Sequence, residues 1–588
     1  MAEYVTGYKT NLRTTITANF KLAQELDMIT KGLKFTGLFS FKNYSSSSTE
    51  RSASYNHYYM SSYDPSSMEY KITRIGDEQS TALTNDGSRN GDRKMYFQAI
   101  LDYNRIFKEV HDLNIMFLYN QEQYDINGPT TLFSSLPQRK QGVAGRVSYS
   151  YDGRYYIEGN FGYNGSENFA KGHRFGFFPS IAVGYNISNE KFWQPIKPVI
   201  SNLKIRGSWG LVGNDATNAG RFAYMEDLVL GGSDSYTTGI RQDTYYSGPS
   251  WNRYFNPDLT WEVGEKINLG LDLQLFNDFN LTFDIFREKR RDIFMTRENS
   301  IPEIVGTGET KITSNNGEME NKGLDLAIDY NKQITKDFFL SFKSTLTFAR
   351  NKVLKMDEPP YFEYPGLSDV GHPLGTYWGY VADGLFPDQE TIDNSPRQDL
   401  GYTPQPGDIK YVNQPNAKGE YDNVINSNDR VAIGHPYDPE LVYGFGPSMK
   451  WKNWDFSFFF QGVARTSFMM YGMHPFGTTS IKNMLQFVAD DHWSVDNPNP
   501  NAAYPRLTKD SNGNNDQYST YWLRNAAFLK LKNAEIGYTY KGMRFYLSGV
   551  NLLTFSPFKH WDPEMGGGNG LYYPTQRVFN IGFQMTIQ

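Results

Sequence analysis

The stretch INLGLDLQLFNDFNLTFDI (267–285) decides the fold. Ile267, Leu269, Leu271, Leu273 and Leu275 alternate with Asn268, Gly270, Asp272 and Gln274. Phe-Asn-Asp-Phe (276–279) then supplies a tight turn, and Leu281, Phe283 and Ile285 resume the alternation against Thr282 and Asp284. A period of two puts every apolar side chain on one face of a strand and every polar one on the other. The stretch therefore reads as an antiparallel hairpin with two chemically different faces.

The same pattern recurs along the whole chain. It is seen in Met95–Tyr103 with Leu113–Tyr119, in Leu324–Tyr330 with Phe338–Phe342, in Tyr443–Trp451 with Phe456–Phe460, and in Phe579–Ile587. About seventeen strands are expected, and the links between them sort by parity. Short links lie near 26–31, 107–112, 152–154, 276–279, 331–337, 452–453 and 541–543, with a medium one near 188–202. Long links lie near 45–92, 123–139, 164–174, 212–260, 289–317, 350–440, 464–526 and 553–576. A transmembrane barrel keeps short turns on one side of the membrane and long loops on the other, whereas a soluble sandwich has no reason to sort them. Ten residues at about 3.3 Å each, tilted near 40°, span about 25 Å, the height of the apolar band of such a barrel. Trp209, Trp261, Trp451 and Trp454 at strand ends suit an aromatic girdle. The Ser-rich YSSSSTERSAS (44–54) reads as a polar loop tip.

Composition supports the pattern. The chain has 588 residues, with Tyr 42, Phe 41 and Trp 10, an aromatic share of 16 % that no disordered segment carries. No run of about 18 apolar residues exists for a spanning helix. Cysteine is absent, which excludes disulfides, thiolate metal sites and Cys nucleophiles. A formal charge of -6 argues against a nucleic-acid partner, which would meet a basic face. The first thirty residues lack the basic and apolar regions of a secretory leader.

Seven blocks in order carry a family resemblance. They are SNLKIRGSWGLVGND (201–215), NPDLTWEVGEKINLGLDLQLF (256–276), NNGEMENKGLDLAIDY (315–330), GTYWGYVADGLF (375–386), PGDIKYVNQ (406–414), LKLKNAEIGY (529–538) and YLSGVNLLTFSPFKHWDPE (546–564). The chain resembles the SusC/RagA-type TonB-dependent outer-membrane transporters over essentially its whole length. The resemblance implies an all-β chain, residues 1–588 being the C-terminal part of a barrel: about 17 of an expected 22 strands, with the plug and first strands upstream of Met1. It implies a multi-pass place in the outer membrane of a Gram-negative bacterium and import of oligosaccharides or peptides. A SusD-like lipoprotein and TonB would be partners, and outer-membrane lipid the surroundings. Such barrels often end on an aromatic, where this chain has Ile587 and Gln588. A passive porin-like barrel and a secreted β-rich carbohydrate-binding protein are the alternatives.

No enzyme chemistry is expected. Asp490, Asp491 and His492 are adjacent, so on an extended segment they do not converge. GGGNG (566–570) lacks the Lys and Ser/Thr of a phosphate loop and reads as a flexible extracellular loop. The resemblance also points to an acidic loop after the GDIKY block. Its counterpart here, Asn413, Asn416, Gly419, Asp422, Asn426, Asn428 and Asp429, is a weak calcium candidate: Ca²⁺ takes six to eight oxygens, and Asn replaces most carboxylates. A solvated Asn/Asp turn is the expectation, with no other cofactor. Aromatics outside the strands, Trp251, Tyr254, Tyr361, Tyr364, Trp378, Tyr380, Trp493, Tyr521 and Trp522, are candidates for substrate or partner binding, since rings stack on sugars and are enriched at interfaces. Packing of loop on loop is the competing reading. The 350–440 loop, with Trp378, Tyr380, Asp383 and Phe386, is expected to be ordered and to meet the lid or the substrate chamber.

Overall fold

The computed structural model describes residues 7–79, 82–129, 131–216, 220–231, 235–305, 312–471, 485–508 and 512–586. Strands make up 59 % of it and helix 6 %. Seventeen strands form one sheet, each antiparallel to its neighbour in the chain. They are β1 (Gly7–Glu25), β2 (Leu33–Ser52), β3 (Thr84–Phe107), β4 (His111–Asn127), β5 (Gln138–Tyr151), β6 (Tyr155–Ser166), β7 (Phe175–Asn186), β8 (Ile200–Asn214) and β9 (Glu262–Leu275). They continue as β10 (Phe279–Arg297), β11 (Ile312–Thr335), β12 (Phe338–Lys355), β13 (Leu441–Trp451), β14 (Trp454–Ala464), β15 (Phe528–Tyr540), β16 (Met543–Phe555) and β17 (Val578–Met585). β1 and β17 are the edges of the sheet. The closing Ile587 and Gln588 lie outside the described residues.

The links obey the expected parity throughout. The short side is built by tight turns, with positive φ at Asp152 and Gly153 and at Lys541 and Gly542. Such backbone twist matches the twist of the flanking strands, and glycine adopts it without a Cβ clash. The medium link carries Glu190, which accepts from Arg154 Nη1 at 2.9 Å and from the Tyr155 hydroxyl at 2.6 Å, pinning one turn to the next.

Register segregates the faces. Ile205, Leu271, Phe283, Leu326 and Leu346 stand opposite one another across five strands. Met449, Phe456, Ile536, Leu547 and Ile581 do the same across the last five. The alternate face is polar. Arg206 donates to Asp272 at 3.2 Å and to Asp284 at 2.6 Å, and Thr347 donates to Asp325 at 2.6 Å. Asp112, Asn114, Ser148, Glu158, Lys204 and Arg206, together with Tyr149, Tyr156 and Ile157, border a hollow of about 370 Å³. An outward apolar band around a polar interior is the pattern of a membrane barrel, and one continuous sheet replaces the two packed sheets of a sandwich. No helix among the described residues is long and apolar enough to cross a membrane.

Two expectations are corrected. The Ser-rich tip is strand: Ser45–Ser52 pair with Gly7–Thr14 on one side and Thr84–Gly91 on the other. Ser and Thr close the ladder there, as in Ser48 Oγ to Ser88 Oγ at 2.9 Å. β3 and β11 each have 24 residues; crossing needs only about 9–11, so such strands rise beyond the membrane as a polar wall. Trp261 is not a girdle residue either. It is buried with Phe169, Leu259 and Phe294 in a cluster that ties long loops to the wall, and its Nε1 donates to the Arg174 carbonyl. Trp451 and Trp454 do face each other at the β13–β14 turn, exposed as a girdle pair should be.

Candidate functional site

The main core of the molecule lies on the long-loop side. Three long links, 356–440, 465–527 and 556–577, condense into one cap around Tyr380, Leu385, Ile409, Tyr411, Phe468 and Trp522. Small ladders organise it: Tyr377–Gly379 with Val431–Ile433, Ala382–Leu385 with Ile409–Tyr411, and Ser467–Met469 with Leu523–Asn525. The 350–440 loop is therefore ordered, and its family-like block is cap core rather than rim.

The PGDIKY block has a clear physical role. Asp408 is fully buried and accepts from Arg506 Nε at 2.7 Å, Asn515 Nδ2 at 2.9 Å, Asn512 Nδ2 at 3.0 Å and the Gln405 amide at 2.8 Å. Gln398 bridges the Ile409 carbonyl and the Tyr411 amide, and the Tyr411 hydroxyl donates to the Asn514 carbonyl at 2.7 Å. Burial holds the Tyr411 phenol far above its ordinary value. A buried carboxylate persists only when paired and hydrogen-bonded, and this network locks the first cap loop to the second. Arg506, Asn512, Asn514 and Asn515 gave no signal in the sequence, because a polar loop segment acquires a role only when a distant carboxylate meets it.

A second lock joins the cap to the wall. Lys530 on β15 has no exposed surface and donates to Asp562 at 2.6 Å and to Glu564 at 2.5 Å, while Lys532 reaches Glu564 at 2.8 Å. Burial pushes both carboxyls upward, but the Lys530 hydrogen bonds and charge outweigh it and leave both below their ordinary range. The HWDPE segment is the counter-charge of the LKLK strand.

The predicted aromatics divide into two groups. Tyr380, Trp493 and Trp522 are buried in the cap core, which removes them as surface rings; loop packing is what they do. Tyr521 is half-buried beside them and donates to the Ala502 carbonyl. The others keep partly open surface. Trp251 stacks on Tyr254 at 5.4 Å between ring centroids, and Trp378 donates to Asp369 at 2.6 Å with His372 edge-on. Tyr361 and Tyr364 are half-buried, and burial raises the Tyr364 phenol. The structure does not gather these rings into one site.

The Asn/Asp loop is a solvated turn in its middle, where residues 417–423 are exposed and Asn416 Oδ1 accepts the backbone N–H of Lys418 at 2.9 Å and of Glu420 at 3.0 Å, but its end is buried. Asp429 is buried and accepts the backbone N–H of Gln414 and of Asn426, both at 2.7 Å, while the Asn426 side chain accepts that of Asn428. Asn413, next to Gln414, has a buried amide without a protein partner, which offers one neutral ligand. A buried Asp429 engaged by two backbone donors and an exposed Asp422 that accepts the Val424 amide do not assemble the six to eight oxygens of Ca²⁺. Asp490 and His492 also go separate ways, to Gln486 and to the Ala489 carbonyl. Among the described residues no cluster of three or more His, Asp or Glu could hold a metal.

The Gly-rich run is held rather than flexible. The Gly568 amide donates to the Met469 carbonyl at 2.9 Å and its carbonyl accepts from Tyr471 at 3.1 Å. A methyl at Gly567 would strike the Met469 carbonyl, so glycine is what lets the third loop lie against the second.

Comparison with known proteins agrees with this architecture. A family described as TonB dependent receptor-like, beta-barrel matches residues 3–552. The TonB-dependent receptor SusC of Bacteroides thetaiotaomicron is 29 % identical over 468 residues, which are 75 % of this chain and 43 % of that protein. TonB-dependent receptor P3 of Formosa agariphila is 27 % identical over 478 residues, 75 % of this chain and 45 % of that one. The chain thus spans less than half the length of these relatives. In fold it is similar to the RagAB peptide importer in its open-open state, at 20 % identity and a TM-score of 0.74, over 98 % of this chain and 62 % of that one. A single sheet with an apolar outside and a polar hollow, links sorted by side and a family match across nearly all of its length make this chain a member of the TonB-dependent receptor β-barrel family of the outer membrane, a family of receptors and transporters.

Proposed function

We propose that the chain forms the barrel wall and extracellular loop cap of an importer of oligosaccharides or peptides, with a SusD-like lipoprotein over the cap. TonB would act through a plug region of the intact receptor. The observation that carries this reading is the cap. Three loops join into a folded layer with its own apolar core and buried ion pairs, on the long-loop side of a hollow, polar-lined wall. A passive pore has no need of such a layer; a receptor does, because a binding surface must be held in shape.

The test is a deletion of the gene in its own bacterium, read as uptake of labelled oligosaccharides and peptides, with and without TonB. Loss of uptake of one class in both strains supports the reading. Uptake that persists without TonB marks a passive pore and overturns it. Co-purification of a lipoprotein with the receptor tests the partner.

A further inference from the structure

Five tyrosines from three loops meet on the cap surface, and none was singled out by spacing in the sequence. Tyr377 and Tyr437 come from the first cap loop, Tyr471 and Tyr518 from the second, and Tyr572 from the third. Backbone contacts bring them together. The Tyr437 amide donates to the Gly375 carbonyl at 3.0 Å, the Tyr518 carbonyl accepts from Tyr380 at 2.9 Å, and Tyr471 is tied to Gly568. Above Gly568, where a side chain would stand, the Tyr572 ring lies 3.4 Å away and the Tyr471 ring 3.7 Å away. The Tyr471 and Tyr572 side chains interact electrostatically, and Tyr377 and Tyr471 each lie within electrostatic reach of Tyr437 and Tyr518.

The group combines a floor with open rings. Tyr377 is half-buried against the cap core, whereas Tyr437, Tyr471, Tyr518 and Tyr572 are 59 %, 52 %, 48 % and 56 % exposed. Four half-open aromatic rings at one spot are unusual on a surface that no ligand or partner covers. Beside them a hollow of about 260 Å³ opens from Tyr437 between Phe468, Phe528 and Pro563, with Asp438 and Glu564 at its edge. That is slightly below the roughly 300–1,000 Å³ of a pocket that swallows a small molecule, and it suits one ring of a longer chain.

We infer that this five-tyrosine platform is a binding site for a neutral oligosaccharide. The inference rests on the importer reading above and names the substrate class within it. The surface offers π faces and phenolic hydroxyls. A sugar ring presents apolar C–H faces edged by hydroxyls, the complement of that surface. An extended peptide is held instead through main-chain pairing at a free strand edge or through a charged terminus. The strand beneath the rings has no free edge: Ser467–Met469 pairs with Leu523–Asn525, and Gly568 occupies the other side of Met469 and Tyr471. The nearby Glu564 already faces Lys530 and Lys532. The Gly568 backbone is thus a seat, left bare of a side chain so that Tyr471 and Tyr572 can lie over it.

The experiment uses the intact receptor with its lipoprotein, purified in detergent, and isothermal titration calorimetry. The probes are neutral linear hexaoses of glucan, xylan and mannan, with a tryptic casein digest as the peptide probe. Retained heat-modifiable gel mobility shows that each variant barrel is folded. At least one neutral hexaose should bind. The double variant Y471A/Y572A should weaken it by about tenfold or more, while Y471F/Y572F, which keeps the rings, should stay within about threefold. Tyr63→Ala, on the exposed His57–Asp64 strand of the β2–β3 link, should leave affinity unchanged. Glycan binding that survives Y471A/Y572A overturns the platform while leaving glycan import intact. Ring-dependent binding of peptides alone overturns the carbohydrate assignment. Loss of the lipoprotein with glycan affinity unchanged makes the rings a protein interface. Failure to bind any neutral hexaose, in a receptor whose deletion also leaves uptake normal, removes both readings.

Discussion

Lys530 shows how one residue can hold a cap to a wall. Its ammonium has no exposed surface, so its partners Asp562 and Glu564 replace water entirely. Lys530→Ala should destabilise the attachment of the third loop by about 3–5 kcal/mol, the usual cost of breaking a buried pair from one side. Limited proteolysis of the 556–577 loop, faster in the variant while the barrel stays heat-modifiable, is the measurement; equal rates would refute it. The cluster also sets a pH dependence. Both carboxyls sit below their ordinary values of 3.8 and 4.5. The stability they add is therefore complete above that range and lost as pH falls below it through the depressed folded values. Cleavage in this loop should accelerate only on acidification below about pH 4.5, and Lys530→Ala should flatten that response. Acceleration at neutral pH would mean that other groups control the loop. Arg506 poses the same question inside the cap. Arg506→Ala leaves Asp408 fully buried beside amides alone, and should loosen the first loop from the second by about 3–5 kcal/mol. Hydrogen exchange at Ile409 and Tyr411 reads it out, and unchanged protection there would show that the lock is dispensable.

At the scale of elements, the strands were legible and the cap was not, for one physical reason. Alternation is a local property: Leu269, Leu271 and Leu273 declare their face within a single strand, and the register then sets them opposite Ile285, Phe283 and Leu281. An Arg at Leu271 should cost about 2–4 kcal/mol of folding free energy and an Arg at Asp272 much less. Refolding yields into lipid vesicles compare the two, and equal yields would mean that the faces are reversed or mixed. The cap depends on pairs such as Asp408 with Arg506 and with Asn515, separated by 98 and 107 residues, so no local pattern announces it. The same distance effect explains why Tyr380, Trp493 and Trp522 look like surface candidates in the sequence and are core in the structure. It also changes how the long first loop must be tested. Excising 388–430 would remove Asp408 and the Ile409–Tyr411 strand and unfold the cap. A deletion phenotype there would report on folding before it reported on any partner, and substitutions of exposed rings are the cleaner probe.

For the whole molecule, the absence of cysteine turns topology into a direct measurement. The chain has no Cys to mask an introduced one, and its links alternate between a side of tight turns with one medium link, 187–199, and a side that carries the longest loops. If the long links are extracellular, Ser66→Cys in the β2–β3 link and Lys418→Cys in the first cap loop should react with a membrane-impermeant maleimide on intact cells. Both positions are exposed. Lys336→Cys and Asn453→Cys, exposed in the β11–β12 and β13–β14 turns, should react only after the outer membrane is permeabilised. The sheet leaves no third arrangement for its links, because adjacent antiparallel strands place successive links on opposite sides. Labelling of all four positions on intact cells would mean that the chain is not inserted. Labelling of the turns but not the loops would invert the barrel and place the tyrosine-bearing cap in the periplasm, away from any extracellular glycan. Labelling that follows link length puts the polar wall, the two ion-pair locks and the five tyrosines on the side where a nutrient receptor meets its ligand.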